Sequence, residues 1–576
     1  MASEKDLYHG VPREGAFDQS PNHDRWGQPL GTHSVGRWRV DESVNVVCAL
    51  DGNEGEYRTY TVRPASYDAM FRDAVDRNIS AEAVVCGERR VTYSELNTLI
   101  EVTARGMVEA GLVRGDRVAV MLDNRLEYLV AMLACVRAGG IAIPLGTRLG
   151  TAEVEYIVSD AAPVFAITAT EWYKKFPCRS SLRATWLVDG IAGDARSFDE
   201  LQNSNGEPPL PKLNSNDVMM IVYTSGTTGK PKGACLTHGN FIHTCLHYLY
   251  ALAIDRPQRS ILTVPATHIA GFGPLVSVTL ASGGTIVMVR EFKVKRILEL
   301  IERERITYAV LVPSMYQLIA MNEATHEYDL SSWKYGVYGG AIMPPATIER
   351  FSSIAPTLRM INAYGATETC AVCTIMAPEL TATAPASVGL ALECTEIRVV
   401  DEHGETVPVG ESGEFWIRGP NVSPGYWNNS EATKSAFLNG FWKSGDVGSR
   451  NSDGLLYVHD RIKDMINRGG FKVFSAEVEN AIMGHSEVEE CAVVGTPDEV
   501  LGERVFAFVK LKIDSKLGGS EQIKEFLHER IADYKIPDFW QIEHVNLPRN
   551  QNGKLLKKEL RDKAIDRLTQ ISGGRA

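Results

Sequence analysis

The sequence predicts an α/β protein: a large multi-subdomain N-terminal body of parallel α/β sheets plus a distorted β-barrel, followed by a small α+β C-terminal domain. Three observations carry this. Two stretches, 115–145 and 259–313, alternate compact apolar strands with helices. From about Ala391 the texture changes to apolar–polar alternation broken by turns. After "DRIKDMINRGG" (460–470) a short α+β series begins.

The elements follow in order. "GDRVAVMLD" (115–123) is a compact apolar strand, "RLEYLVAMLACVRAG" (125–139) a helix buried on most sides, and "GIAIPL" (140–145) the next strand. Strand, helix and strand in that order form the unit of a parallel sheet. A second series runs from "RSILTVP" (259–265) through "KVKRILELIERERI" (293–306) to "YAVLVP" (308–313), with Ile297, Leu298, Leu300 and Ile301 at helical spacing. "TEIRVVDEHGETVPVGESGEFWIRG" alternates around Gly- and Asp-containing turns, the pattern of antiparallel, barrel-like strands. Near the C-terminus, strands are predicted around 490–495 and 505–512. A helix over 521–532 places Ile523, Phe526, Leu527 and Ile531 on one face, with Ser520 as its cap. The first 60 residues have little periodicity and read as an extended or loosely packed arm. The expected organisation is an N-terminal extension (1–60), a large body (61–462) and a small domain (463–576).

At 576 residues the chain is too long for one ordinary core. Lys plus Arg number 60 against 72 Asp plus Glu, a net charge of −12, which argues against a general nucleic-acid binder. No apolar run approaches the ~20 residues that span a bilayer. The N-terminus lacks the apolar core of a signal peptide. The ten cysteines are scattered, which predicts reduced thiols and a cytoplasmic enzyme.

"YTSGTTGKPKG" (223–233) has the glycines, hydroxyls and lysines of a phosphate-binding loop, but it is not a Walker A loop. Only Thr227 and Thr228 separate Gly226 from Gly229, and Lys230 is followed by Pro231, which has no hydroxyl and no N–H. "DVMMIVYTS" before it and "GACLTH" after it are apolar, so the loop is predicted to join two strands. Ser225, Thr227, Thr228 and Lys232 would wrap the outer phosphates.

Further along come "YGATE" (364–368), "GEFWIRGPNVSPGYW" (413–427), "SGD" (444–446), "DRIKDMINRGGFKV" (460–473) and "NGK" (552–554). In this order the six motifs resemble the adenylate-forming superfamily of acyl-CoA synthetases, peptide-synthetase adenylation domains and beetle luciferases. The resemblance covers about residues 67–565. It implies ATP-dependent activation of a carboxylate as acyl-AMP with release of pyrophosphate, then transfer of the acyl group to coenzyme A. It implies a hinge between the body and the small domain, which rotates between the two steps.

The resemblance also assigns roles. Lys554 is the catalytic lysine, suited to a step in which two anions meet. Glu368 is the Mg²⁺ ligand, with Thr367 beside the α-phosphate; one or two carboxylates with phosphate oxygens suit Mg²⁺. Thr224, Ser225, Gly226, Thr227, Thr228, Gly229 and Lys232 hold phosphates. Asp446 holds the ribose diol, and Arg461 is a second ribose and phosphate contact. Gly340, Ala341, Tyr364 and Gly365 border the nucleotide, and Gly339, Ala366, His268 and Phe272 the acyl group. Lys463 is the hinge, and Gly469 and Gly470 line the pantetheine channel. Three positions depart from the pattern: Ile342 and Ser475 replace frequent prolines, and Asn467 stands where luciferases carry lysine.

"HIAGFGPLVSV" (268–278) offers no charge to a polar substrate, so the expected acid is bulky and hydrophobic, fatty or polycyclic, with an aryl acid as an alternative. Rival readings are an enzyme loading a separate carrier protein, one running a single half-reaction, and a non-catalytic nucleotide-binding regulator. A homodimer is compatible with the sequence. Cys370 and Cys373 form a lone CxxC, and His243 and His247 lack the glutamate of a zincin; neither pair predicts a metal. "LGGS" (517–520) lacks the spacing of a phosphopantetheine attachment site.

Overall fold

The computed structural model describes residues 40–47, 56–60, 63–176, 182–203, 206–224, 231–341, 343–381, 383–515, 517–549 and 555–573. They divide into two compact units. The first runs to Ile397 and takes in Trp416–Lys443 and Ser452–Leu456. The second comprises Arg398–Phe415, Ser444–Asn451 and the chain from Tyr457 onward.

The first unit holds two sheets. In the seven-stranded sheet the order is Lys232–Thr237, Val218–Thr224, Ile141–Pro144, Arg117–Met121, Phe165–Thr168, Ala184–Leu187, Arg196–Ser197. The predicted β-α-β unit is present: Arg117–Met121 and Ile141–Pro144 pair in parallel and flank the helix Leu126–Arg137. Every residue of that helix except Glu127 is buried. Such burial is worth about 1.5–3 kcal/mol for each large apolar side chain.

In the nine-stranded sheet the order is Leu390–Ala391, Thr374–Ile375, Arg359–Tyr364, Tyr335–Tyr338, Tyr308–Leu311, Arg259–Leu262, Thr285–Met288, Glu82–Cys86, Arg89–Thr92. From Arg359–Tyr364 to Glu82–Cys86 all neighbours are parallel. Arg259–Leu262 lies between the two strands that follow it in sequence, so the chain order reverses there. In parallel sheets the carboxyl ends of strands beside such a reversal are where ligands bind.

Part of the stretch expected as a loose arm is packed. Glu56–Tyr60 pairs antiparallel with Val40–Val47, and Tyr60 is fully buried. Its ring lies against His243, His247 and Tyr250 of the helix His238–Ala251.

The alternating stretch after Ala391 forms a five-stranded sheet built on Glu396–Val400, Ser412–Arg418, Phe441–Arg450 and Phe437–Leu438, with Leu456–Arg461 pairing Phe441–Arg450. The C-terminal strands are Val488–Asp498 and Gly502–Leu511, antiparallel, with Phe539–Glu543 parallel to the second. The last predicted helix is Glu521–His528, with Ile523 and Leu527 buried. Ser520 does not cap it: its backbone is itself helical (φ −74°, ψ −19°), and its side chain makes no cap bond. Among the described residues, no helix is long and apolar enough to cross a membrane.

Candidate active site

In the first unit the predicted loop is a strand-to-strand connection, as its glycines and Pro231 imply. Val218–Thr224 and Lys232–Thr237 pair antiparallel, with Thr224 opposite Lys232 at the mouth of the hairpin. Ser225, Gly226, Thr227, Thr228 and Gly229 lie outside the described residues. Lys232 Nζ stands 5.4 Å above the Tyr426 ring, within cation–π range. The Tyr426 hydroxyl donates to Glu368 Oε1 at 2.8 Å. Burial, and then the Glu368 carboxylate, push this phenol well above its ordinary range, so it stays a donor. A continuous line of contact therefore joins the hairpin to the buried Glu368.

Local backbone explains the placement. Cys235 N donates to Gly425 O and Trp427 N to Gly233 O, laying the chain around Tyr426 along the hairpin's second strand. Asn240 completes a capping box with Thr237 at the start of the helix His238–Ala251. The same Asn240 donates through Nδ2 to Pro420 O and Val422 O. Ser423 N donates to Glu368 O at 2.6 Å, and the fully buried Asn421 donates to Thr369 O and Val372 O. Thr244 Oγ1 donates to Cys370 O at 2.7 Å. Glu368 is thus held through its backbone and its carboxylate.

Tyr364, Gly365, Ala366 and Thr367 are half-buried; Tyr364 ends the strand Arg359–Tyr364 and the other three follow it directly. A Cβ on Gly365 would come within 2.4 Å of Ala371 O, so the close approach of these two backbones requires glycine. Gly339, Gly340 and Ala341 follow the neighbouring parallel strand Tyr335–Tyr338. The sheet therefore brings the predicted nucleotide-bordering residues of the first unit to one edge. Ile342 lies outside the described residues.

His268 is half-buried and precedes the short helix Ile269–Gly271, which continues as a π-helix over Phe272–Ser277. π-helical turns are frequent at functional sites. Burial lowers the His268 imidazole below its ordinary range. Gly273 lies against Cys370 and Ala371, just beyond Glu368. Phe272 is buried, its ring against Phe241 and Tyr67. His243 and His247 are packing residues of the helix His238–Ala251.

The second unit carries Asp446, 3% exposed, whose Oδ1 accepts from Arg461 Nε at 2.8 Å. The strands hold this pair in register: Ile462 N donates to Gly445 O, and Asp446 N to Ser444 Oγ. Lys463 is exposed. Gly469 and Gly470 form the two-residue turn between Ile466–Arg468 and Phe471–Val473, with φ of +60° and +90°. Positive φ at both central residues is what a type I′ hairpin demands. Lys554 lies outside the described residues.

Tyr426, Asn421 and Asn240 were missed by sequence reasoning. Tyr426 and Asn421 sit inside "GEFWIRGPNVSPGYW", and only that motif's position could have pointed to them.

In the first unit Lys232 is linked through Tyr426 to the buried Glu368, and in the second Asp446 pairs with Arg461 from a neighbouring strand. Both sets fall on the motifs that resemble the adenylate-forming class, and the family comparison supports that class. Residues 71–427 match the family described as AMP-binding enzyme, and residues 477–554 its C-terminal domain. The chain belongs to the AMP-binding enzyme family. It is 36% identical to the feruloyl-CoA synthase of an Amycolatopsis species over 84% of this chain and 95% of that one. To the long-chain-fatty-acid–CoA ligase FadD13 of Mycobacterium tuberculosis it is 31% identical, over 85% and 96%. Its fold matches that of o-succinylbenzoate CoA synthetase (MenE) from Bacillus subtilis in complex with its acyl-adenylate intermediate. That match has a TM-score of 0.77 at 28% identity, over 86% of this chain and 98% of that one.

Proposed function

We propose that this chain is an ATP-dependent acid–CoA ligase for a bulky hydrophobic carboxylic acid. The observation that carries the reading is the line from Lys232 through Tyr426 to Glu368 at the carboxyl edge of the parallel sheet. A cation joined in this way to a buried carboxylate supports the reading, because a nucleotide's phosphates and their metal ion call for that pair.

In the first step a carboxylate oxygen attacks the α-phosphorus of ATP, the α–β bridging P–O bond breaks, and pyrophosphate leaves. Thr224, Lys232 and the loop between them hold the departing phosphates, and Lys554 steadies the charge at the α-phosphorus. In the second step the thiol of coenzyme A loses its proton, its sulfur attacks the acyl carbon, and AMP leaves. Glu368 fits a Mg²⁺ ligand: it is a fixed, buried carboxylate, and the ion would neutralise phosphate charge when bound. Asp446 and Arg461 take the ribose, and Tyr364, Gly365, Gly340 and Ala341 the base. Gly339, Ala366, His268 and Phe272 shape the acid side. Lys463 is the hinge of a small domain over 463–576, and the Gly469–Gly470 turn serves the thiol channel.

The scattered spacing of the ten cysteines supports a cytoplasmic location, where thiols stay reduced. Light scattering tests the homodimer. The decisive experiment measures acid-dependent ATP–pyrophosphate exchange and CoA thioester formation across a panel of acids. A preference for acetate or an amino acid would overturn the hydrophobic reading. Acyl-AMP that accumulates until a carrier protein is added would transfer the assignment to carrier loading.

A further inference from the structure

The segment between the strand Arg259–Leu262 and His268 is held from the other sheet. Asn124 follows the strand Arg117–Met121, and Tyr128 lies in the helix after it. Asn124 Oδ1 accepts from Ala266 N at 2.9 Å, and the Tyr128 hydroxyl donates to Ala266 O at 2.7 Å. Both hydrogen-bonding groups of one buried peptide residue are thus satisfied by side chains more than 130 positions away in sequence. Asn124 Nδ2 also donates to Val264 O and Val289 O, both at 3.0 Å. It therefore ties together the loops leaving the neighbouring parallel strands Arg259–Leu262 and Thr285–Met288. Asn124, Tyr128 and Ala266 are 5%, 1% and 2% exposed. Leaving a buried donor or acceptor unpaired costs about 1–3 kcal/mol, so these bonds bind the segment firmly.

Two residues beyond Ala266 the chain reaches His268. Its N–H donates to Pro265 O, and its own carbonyl accepts from Gly271 N and Phe272 N, starting the helical run. A displacement of Ala266 would therefore carry His268 and the first turn with it. Burial keeps the Tyr128 phenol protonated, so the clamp does not loosen at any working pH.

We propose that Asn124 and Tyr128 are positioning residues that clamp Ala266 and so fix where His268 stands in the acid pocket. The inference rests on the reading of His268 as a wall of that pocket. The hydrogen bonds of the clamp end on Leu262, Val264, Ala266 and Val289, none of them a residue of the phosphate hairpin, so it acts on which acid is accepted and not on how ATP is held.

The test uses Tyr128→Phe, which removes one hydroxyl, and Asn124→Asp, which keeps the acceptor for Ala266 N but replaces the donors with an oxygen facing carbonyls. Truncation to alanine is avoided because Asn124 borders a cavity of about 290 Å³. The full-length enzyme is assayed by ATP–pyrophosphate exchange with cinnamate and with octanoate. In both variants the ratio of kcat/KM for the two acids shifts at least fivefold, while KM for ATP stays within twofold. A ratio unchanged within twofold in Tyr128→Phe, or KM for ATP rising in step with KM for the acid, overturns the proposal. Hydrogen exchange separates the clamp from the reading of the pocket. Amides over 264–268 exchange at least fivefold faster in Tyr128→Phe, with those over 359–364 unchanged. Unchanged exchange overturns the clamp even if the parent enzyme activates neither acid. Faster exchange with a parent that activates neither acid upholds the clamp and refutes the hydrophobic-acid reading of the pocket alone.

Discussion

Replacing Tyr426 with phenylalanine tests the site most directly. The ring stays, and with it the contact with Lys232; only the hydroxyl that donates to Glu368 at 2.8 Å is lost. A hydrogen bond to a charged group contributes about 1.5–3 kcal/mol, and the carboxylate here is 8% exposed. Losing a partner that orients a metal-binding carboxylate typically lowers metal affinity about 10- to 100-fold, which is the same range in free energy. The assay is acid-dependent ATP–pyrophosphate exchange at a series of Mg²⁺ concentrations. The Mg²⁺ needed for half-maximal rate rises about 10- to 100-fold in Tyr426→Phe, and the rate at saturating Mg²⁺ largely recovers. Thioester formation from supplied acyl-AMP stays near the parent rate, because pyrophosphate and its metal take no part in it. A Mg²⁺ dependence within twofold of the parent would refute the role given to Tyr426 and weaken that of Glu368.

Other outcomes follow from the same geometry. Lys554→Ala slows acyl-AMP formation about 10²- to 10³-fold while largely sparing transfer from supplied acyl-AMP; equal loss of both steps contradicts the assignment. Lys463→Pro does the reverse, sparing pyrophosphate release and impairing thioester formation in single-turnover assays. Stability falls in mild acid. Burial holds His238 down to about 4 and His243 down to about 3, and both rings already accept or share hydrogen bonds in their neutral form. Below about pH 6.5 the unfolded chain takes up protons that the folded one refuses, so each histidine removes about 1.4 kcal/mol per pH unit. The loss continues until the folded values are reached. Urea midpoints unchanged between pH 6.5 and 5 would contradict this.

The parallel sheets were legible because apolar strands and helices repeat with distinct periods, and the hairpin because Pro231 and closely spaced glycines forbid the alternative. The roles given to Thr367, Glu368, Asp446 and Arg461 rest on motif matches alone. What could not be read were contacts between residues far apart in the chain. The bond from Tyr426 to Glu368 spans 58 positions and that from Asn124 to Ala266 spans 142, and neither leaves a local pattern. Ser520 failed for a different reason. Its residue type suits a cap, but capping needs an extended backbone, and the backbone of Ser520 is helical.

The strand Glu56–Tyr60 bears on how the chain tolerates trimming. The family match begins at residue 71, yet Thr59 and Tyr60 are fully buried against the helix His238–Ala251, with Thr59 bonded to His243 at 2.7 Å. A shortened chain starting at the family boundary would strip a cover from the rings of His243, His247 and Tyr250. That would expose a sticky aromatic face of the kind that drives aggregation. The segment matched by the family model thus begins inside the packed body, and the strand Glu56–Tyr60 belongs to the folding unit although it precedes residue 71.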